Sequence, residues 1–217
     1  MVERIICLLI GYVFGLFQTG YILGRLNHVD IREYGSGNAG TTNVMRTLGK
    51  KAGVITYFGD ALKAVFCVIF VHFAVGIRNP EIGFLLALYA GLGVILGHNF
   101  PFYLGFKGGK GIAATSGVVC ALLPYNWLLV VLGCITFFGV TFITKYVSLG
   151  SLVFVSLFCI EFIIFGQVGM LNVQTVHLPE AYVIVLIITL LAFIRHRANI
   201  KRLLTGTERK IGQKKED

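Results

Sequence analysis

Two glycine-rich segments carry most of the chemistry this sequence can offer. The first runs Gly35-Ser-Gly-Asn-Ala-Gly-Thr-Thr-Asn-Val-Met-Arg-Thr-Leu-Gly49 and sets Ser36, Asn38, Asn43 and Arg46 around Gly37 and Gly40. Glycines let backbone N–H groups approach an anion closely, hydroxyl and amide side chains add hydrogen bonds, and the arginine adds charge, so this composition suits a phosphate. Gly35, Gly37 and Gly40 also match Gly-x-Gly-x-x-Gly, but that pattern binds a dinucleotide only between a strand and a helix, and here it follows an apolar stretch. A flexible connector is the bland alternative, and it needs far fewer hydrogen-bonding groups. The second segment runs Gly97-His-Asn-Phe-Pro-Phe-Tyr-Leu-Gly-Phe-Lys-Gly-Gly-Lys-Gly111 and leads into a helix through Ile112. Leu104 and Gly111 stand where a nucleotide-binding phosphate loop needs Gly and Ser or Thr, so no nucleotide is implied. What remains is Lys107 and Lys110 in a turn with Gly108, Gly109 and Gly111, ahead of a helix N-terminus whose unpaired N–H groups and dipole favour an anion. The lysines alone could anchor a membrane interface; the surrounding glycines ask for more.

Two further polar segments are shorter. Ser148 and Ser151 lie three residues apart at the start of a predicted helix, where they could cap it or bond a ligand. His196, Asn199 and Arg202 recur at helical spacing, so one helix face can present all three. A basic stretch attracted to anionic lipid accounts for the charge there but not for His196 or Asn199. Asp60 and Lys63, at i and i+3, can pair inside an apolar segment, which lowers the cost of burying either one. Glu161 stands in mid-segment without an evident cationic partner.

The elements that must position these groups are membrane helices. The chain has 217 residues, 56% of them hydrophobic and only 13% charged, with a mean hydropathy of +0.82; soluble domains average roughly 25% charged residues. Neither a soluble enzyme fold nor disorder fits. Apolar runs predict spans over residues 4–24, 54–76, 82–98, 111–124, 127–144, 150–170 and 180–194, an all-α integral membrane protein of seven helices. Two of these are short and must borrow flanking residues. All five cysteines fall in apolar blocks and read as small buried hydrophobes, and the first span lacks a cleavage site after it. Residues 1–208 read as one polytopic domain and 209–217 as a basic tail.

Charge sets the orientation. With seven crossings, sixteen of the nineteen Lys and Arg residues fall on one side, including both lysines of the second loop and the eight of the C-terminal segment. The positive-inside rule then places the N-terminus outside and the C-terminus in the cytoplasm, with every polar motif on the cytoplasmic face. Five crossings, the alternative, misplace only Lys145.

These motifs together (Ser-Gly-Asn-Ala-Gly-Thr-Thr-Asn-Val-Met-Arg, Gly-His-Asn-Phe-Pro with Phe-Lys-Gly-Gly-Lys-Gly, Val-Ser-Leu-Gly-Ser, and His-Arg-Ala-Asn-Ile-Lys-Arg-Leu-Leu-Thr-Gly-Thr-Glu) strongly resemble the bacterial membrane acyl-phosphate:glycerol-3-phosphate acyltransferases. The likeness extends from the first span to Glu208 and includes Asp60-x-x-Lys63, although Ala occurs within Ala61 to Ala64 where the family would show Gly. It implies transfer of a fatty acyl group from acyl phosphate to the 1-hydroxyl of glycerol 3-phosphate, giving lysophosphatidate and phosphate, at the bacterial inner membrane with the active site facing the cytoplasm. No cofactor, metal, nucleic acid or required protein partner is implied; the partners are the two substrates and membrane lipid. By the resemblance Lys107, His196, Ser148 and Asn199 are the catalytic candidates. Ser36, Gly37, Asn38, Gly40, Asn43, Arg46, His98, Gly108, Gly109, Lys110, Gly111, Ser151 and Arg202 are the phosphate-binding candidates. A transporter of a phosphorylated metabolite is the competing reading, but it would show inverted repeats and midplane polar groups. A phosphotransferase using a cytidine-linked lipid would need a multi-carboxylate metal motif that is missing.

Overall fold

A computed structural model describes residues 1–171 and 173–213; Lys214 and Lys215 of the basic tail lie outside these residues. Among the described residues every regular element is helical. In chain order these are α1 (Val2–Gly15), α2 (Thr19–Leu26), α3 (Thr41–Leu48), α4 (Lys50–Ala74), α5 (Gly83–Asn99), α6 (Ile112–Ala121), α7 (Trp127–Thr144), α8 (Val147–Gln167), α9 (Leu178–Arg195) and α10 (Arg197–Leu204). Six stretches are long and apolar enough to cross a membrane: α1 with α2, then α4, α5, α7, α8 and α9. The remaining predicted span forms α6, which has 10 residues. At 1.5 Å per residue it is about 15 Å long, half the hydrocarbon core. Its N-terminus lies beside the C-terminal end of α5. The turn that follows it is tied by the Asn126 amide to the Met170 carbonyl, 3.1 Å away beyond the end of α8. The start of α6 and the turn after it therefore lie at opposite ends of the bundle.

The predicted first span is broken. Leu16, Phe17 and Gln18 separate α1 from α2, and carbonyls freed by such a break must find donors away from water. Lys63 Nζ donates to the Gly15 and Phe17 carbonyls at 3.4 and 2.5 Å. The Gln18 amide donates to the carbonyls of Gly15 and His98, both at 3.1 Å. Lys63 also contacts Asp60 Oδ1 at 2.9 Å, the pair expected from their spacing. Its role is thus to seal a helix break as well as to neutralise a buried carboxylate.

Packing in the interior relies on small residues. Gly11 and Gly15 of α1 face Gly93 and Gly97 of α5 so closely that a Cβ on Gly93 would overlap the Leu8 carbonyl and one on Gly97 the Tyr12 carbonyl. This is the Gly-x-x-x-Gly mode of membrane helix association, in which dispersion between backbones replaces the hydrophobic drive available in water. α6 docks on α4 in the same way, Gly117 lying against the Ala61 backbone. Large apolar side chains such as Leu9, Phe66, Phe73, Ile135 and Ile164 point outward, as lipid-facing helices require. Cys7, Cys67 and Cys159 are buried as expected, whereas Cys120 and Cys134 are exposed.

The interior α1–α5 seam and the open position Gly139 give a direct comparison. Gly93→Val should lower stability by about 3 kcal/mol, the upper end of ordinary overpacking. Gly139→Ala, with nothing near its Cβ position, should stay within about 0.5 kcal/mol. Thermal unfolding in detergent checks both, and equal losses would contradict the close packing.

Candidate active site

The four polar segments meet where α2, α5, α7 and α9 end and α4, α6 and α8 begin. A cavity there is lined by Ser36, Asn38, Gly40, Asn43 and Arg46 from the first segment, by His98, Lys110 and Gly111 from the second, by Ser148 and Ser151 from the third, and by His196, Asn199 and Arg202 from the last. Asp60, Tyr57, Glu208 and Arg209 line it as well. Of the expected site residues, Gly37, Lys107, Gly108 and Gly109 do not line it.

The first segment is shaped by its own amides. Asn43 Oδ1 accepts from the Ser36 N–H at 2.8 Å, and its Nδ2 donates to the Ile31 and Tyr34 carbonyls at 3.0 and 2.9 Å. Asn38 Oδ1 accepts from the Gly40 N–H at 2.9 Å, and its Nδ2 donates to the Gly108 carbonyl at 3.3 Å, tying the first segment to the second. Both asparagines therefore hold backbone in place while lining the cavity alongside Ser36 and Arg46. Gly35 has φ +62° and a Cβ there would strike Asn43 Oδ1, so this turn needs glycine.

In the second segment the lysines separate. Lys107 is exposed, and Lys110 alone enters the cavity, where its ammonium donates to Asn199 Oδ1. The glycine amides expected to grip an anion are partly spent: the Gly108 N–H donates to the Asn99 carbonyl at 3.2 Å and the Gly109 N–H to the His98 carbonyl at 3.0 Å. Arg195 closes the turn from outside, donating to the Gly108 carbonyl at 2.9 Å and to Gly109 at 2.9 and 3.1 Å. What stays open is the N-terminus of α6, where Gly111, Ile112 and Ala113 line the cavity and first-turn N–H groups have no partner within the helix.

The last segment builds a relay around a residue that sequence reasoning did not place in the site. Glu208 Oε1 accepts from the Ser148 hydroxyl at 3.0 Å and from Asn199 Nδ2 at 2.8 Å, while Oε2 accepts from Arg202 Nε at 2.6 Å. Burial pushes its pKa up, but donation from Asn199, Arg202 and Ser148 outweighs this and holds it below the usual carboxylate range. The signal that could have found it is Thr-Gly-Thr-Glu208 itself: Gly206, with φ +69°, turns the chain back, and the Ile211 N–H then reaches the Lys145 carbonyl at 2.8 Å. Arg209 lines the cavity too, so the start of the basic tail belongs to the site.

Two titrations follow from burial. Desolvation, aided by the Arg202 charge, brings Lys110 down to about 8. Desolvation and the nearby Lys110 bring His196 down to about 4, so its ring is neutral at pH 7. Because a carbonyl only accepts, the 2.8 Å contact from His196 Nδ1 to the Ala192 oxygen puts the proton on Nδ1 and the lone pair on Nε2. Deeper in, His98 Nδ1 accepts from Lys63 at 2.9 Å, which links the sealed helix break to the cavity wall. Ser151 donates to the Val147 carbonyl at 2.8 Å, within its own helix.

Beside the cavity runs an apolar groove between α6 and α7. Tyr57, Ile112 and Phe137 line both. Farther along, Val119, Cys120, Gly133, Cys134 and Phe154 form the walls, which explains why those two cysteines are exposed.

The sequence profile of a family described as glycerol-3-phosphate acyltransferase matches residues 5–206. The glycerol-3-phosphate acyltransferase of Clostridioides difficile (strain 630) is 45% identical over 217 residues, covering 98% of this chain and 97% of the relative. That of Alkaliphilus metalliredigens (strain QYMF) is 40% identical, with 97% of each covered. Among solved structures, the glycerol 3-phosphate form of PlsY, an integral membrane glycerol 3-phosphate acyltransferase, superposes with a TM-score of 0.80 at 32% identity, covering 96% of both chains. Its lysophosphatidic acid form gives 0.78 at 32% identity, covering 96% of this chain and 95% of the other.

Glu208→Ala should cost about 3 kcal/mol, because it strands Arg202 and two buried hydrogen-bonding groups. A carboxylate whose folded pKa is depressed stabilises above its unfolded value near 4.3, and that stability is lost as pH falls through the folded pKa. Unfolding midpoints measured from pH 7 down to pH 3 should therefore fall below about pH 4.5, with a smaller drop in Glu208→Gln. Identical pH curves would remove Glu208 from this role.

Proposed function

Since the chain belongs to the glycerol-3-phosphate acyltransferase family, we propose that it transfers a fatty acyl group from acyl phosphate to the 1-hydroxyl of glycerol 3-phosphate, giving lysophosphatidate and inorganic phosphate in the first acylation of phospholipid synthesis. Family membership makes the protein an acyltransferase and displaces the transporter reading. The observation that carries the proposal is the junction at Tyr57, Ile112 and Phe137, where one cationic compartment for phosphates meets one apolar groove for a fatty chain. The glycerol 3-phosphate and lysophosphatidic acid forms of the solved relative correspond to an acceptor and a product of this reaction.

Arg46, Lys110, Arg202 and Arg209 face the cavity against the single carboxylates of Glu208 and Asp60, so the site holds surplus positive charge that two phosphates neutralise. The hydroxyl oxygen attacks the acyl carbonyl carbon, the bond from that carbon to the phosphate oxygen breaks, and phosphate leaves with the electron pair. Lys110 and the free N–H groups at the start of α6 stabilise the developing oxyanion, a role in which fixed donors lower barriers by about 3 to 4 kcal/mol. His196 Nε2 accepts the hydroxyl hydrogen bond and orients the attack. With its pKa held to about 4, it is a weaker base than a phosphate monoester oxygen, whose second pKa is about 6, so a substrate phosphoryl oxygen takes the proton. The donor is a mixed anhydride and needs little help from a base. On the seven-span reading favoured by the positive-inside rule, the N-terminus is outside and this site faces the cytoplasm at the bacterial inner membrane, with no cofactor or protein partner required.

With palmitoyl phosphate and glycerol 3-phosphate, Lys110→Ala should lower kcat/KM by about 100-fold or more, whereas Lys107→Ala should change it less than about threefold, as for an exposed charge. Comparable losses would return the second lysine to the site. Because Lys110 titrates near 8 in the free protein, kcat/KM should fall as pH rises through 8 and the ammonium is lost. Lys110→Arg, always protonated, should flatten that limb, and a limb unchanged in Lys110→Arg would assign the titration elsewhere.

A further inference from the structure

The groove between α6 and α7 has a floor, and the floor is set by one missing side chain. Phe154 of α8 reaches across toward Gly133 of α7, so that a Cβ on Gly133 would lie 2.9 Å from Phe154 Cε2 and 4.0 Å from Val119 Cγ1. Real Cβ atoms do not sit that close to a ring carbon, so any larger residue at 133 must push the Phe154 ring. Phe154 is itself packed edge-on against Phe137, with ring centroids 6.4 Å apart, and is 4% exposed. Phe137 holds the ring on one side, and the open space it borders is the groove it lines.

We propose that Gly133, by admitting the Phe154 ring, sets the usable depth of the groove and selects acyl donors by chain length. This rests on the reading of the groove as the acyl-chain site. The occupant is the donor's fatty chain, because the groove adjoins the phosphate cavity, sharing Tyr57, Ile112 and Phe137 as walls, and its far walls carry no charge. Ile112 marks the mouth, and the deep walls are Val119, Cys120 and Gly133. From Ile112 to Cys120 the α6 axis advances about 12 Å at 1.5 Å per residue. An all-trans chain built from bonds of about 1.5 Å advances about 1.25 Å per methylene, so about ten methylenes reach this level. Hexanoyl chains stop short of Gly133, and palmitoyl chains pass it. A side chain at 133 therefore acts on the long donor and not on the short one, and it acts on the donor rather than on glycerol 3-phosphate.

The test compares kcat/KM for palmitoyl phosphate and hexanoyl phosphate in wild-type protein, Gly133→Val, and Gly133→Val combined with Phe154→Leu, all in the same lipid. The ratio of long to short donor should fall at least tenfold in Gly133→Val, with the KM for glycerol 3-phosphate unmoved, and should recover at least half of that loss on a logarithmic scale when Phe154 is shortened. A variant that is merely less stable loses both donors in proportion and is not rescued by removing more of the core. A constant ratio across all three proteins would therefore overturn the role of Gly133 while leaving the proposed reaction standing. Wild-type protein inactive with both acyl phosphates would overturn the parent reading, and this one with it.

Discussion

One buried carboxylate holds the site together. Arg46, Lys110, Arg202 and Arg209 converge on a single cavity, and such a set of like charges would drive its own supports apart without an internal counter-ion. Glu208 supplies it. By accepting from Ser148 on α8 and from Asn199 and Arg202 on α10, it fastens the end of the chain across the mouth of the bundle. Through Asn199 it also aims Lys110, whose ammonium bonds the other end of the same amide. Glu208, with Asp60 already paired to Lys63, leaves surplus positive charge among these cations, so anion binding there and stability are linked.

A second constraint lies deeper, where no water can satisfy a broken backbone. The interruption between α1 and α2 exposes carbonyls at membrane depth, and Lys63, Asp60 and Gln18 close it. The same lysine bonds His98 on the cavity wall. The site is thus supported from below by a polar cluster that costs desolvation but fixes where α5 ends, while the glycine-faced contact of α1 with α5 brings the two backbones close enough for that cluster to form.

Much of this was legible from residue types. The apolar runs located every long helix, the four polar segments all came to one end of the bundle, and the Asp60–Lys63 spacing anticipated a real ion pair. The misses share a cause: a motif shows which groups are near one another in the chain, not which of their hydrogen bonds are already used. Gly108 and Gly109 looked like an anion cradle, yet their N–H groups are taken by Asn99 and His98 and their carbonyls by Arg195. Asn38 and Asn43 line the cavity as expected, but much of their hydrogen bonding is spent bracing turns. Of the two lysines only Lys110 enters the cavity, because the turn through Gly105 and Phe106, both at positive φ, leaves Lys107 outside. Glu208 closes a recognised motif but gave no sign of a site role, because only long-range folding brings Ser148 to it. The break in the first helix likewise has no proline to announce it and depends on Lys63, a residue more than forty positions away.

In the proposed reaction one site sets phosphate recognition beside a lipid-side groove, and the acyl donor is itself a phosphate. That reaction is tested most directly by presenting purified protein in lipid with glycerol 3-phosphate and either palmitoyl phosphate or palmitoyl-CoA, and measuring lysophosphatidate and released phosphate together. The account predicts one phosphate released per lysophosphatidate with palmitoyl phosphate and negligible product with the thioester. Equal or faster turnover of palmitoyl-CoA, or silence with both donors in folded protein, would contradict it.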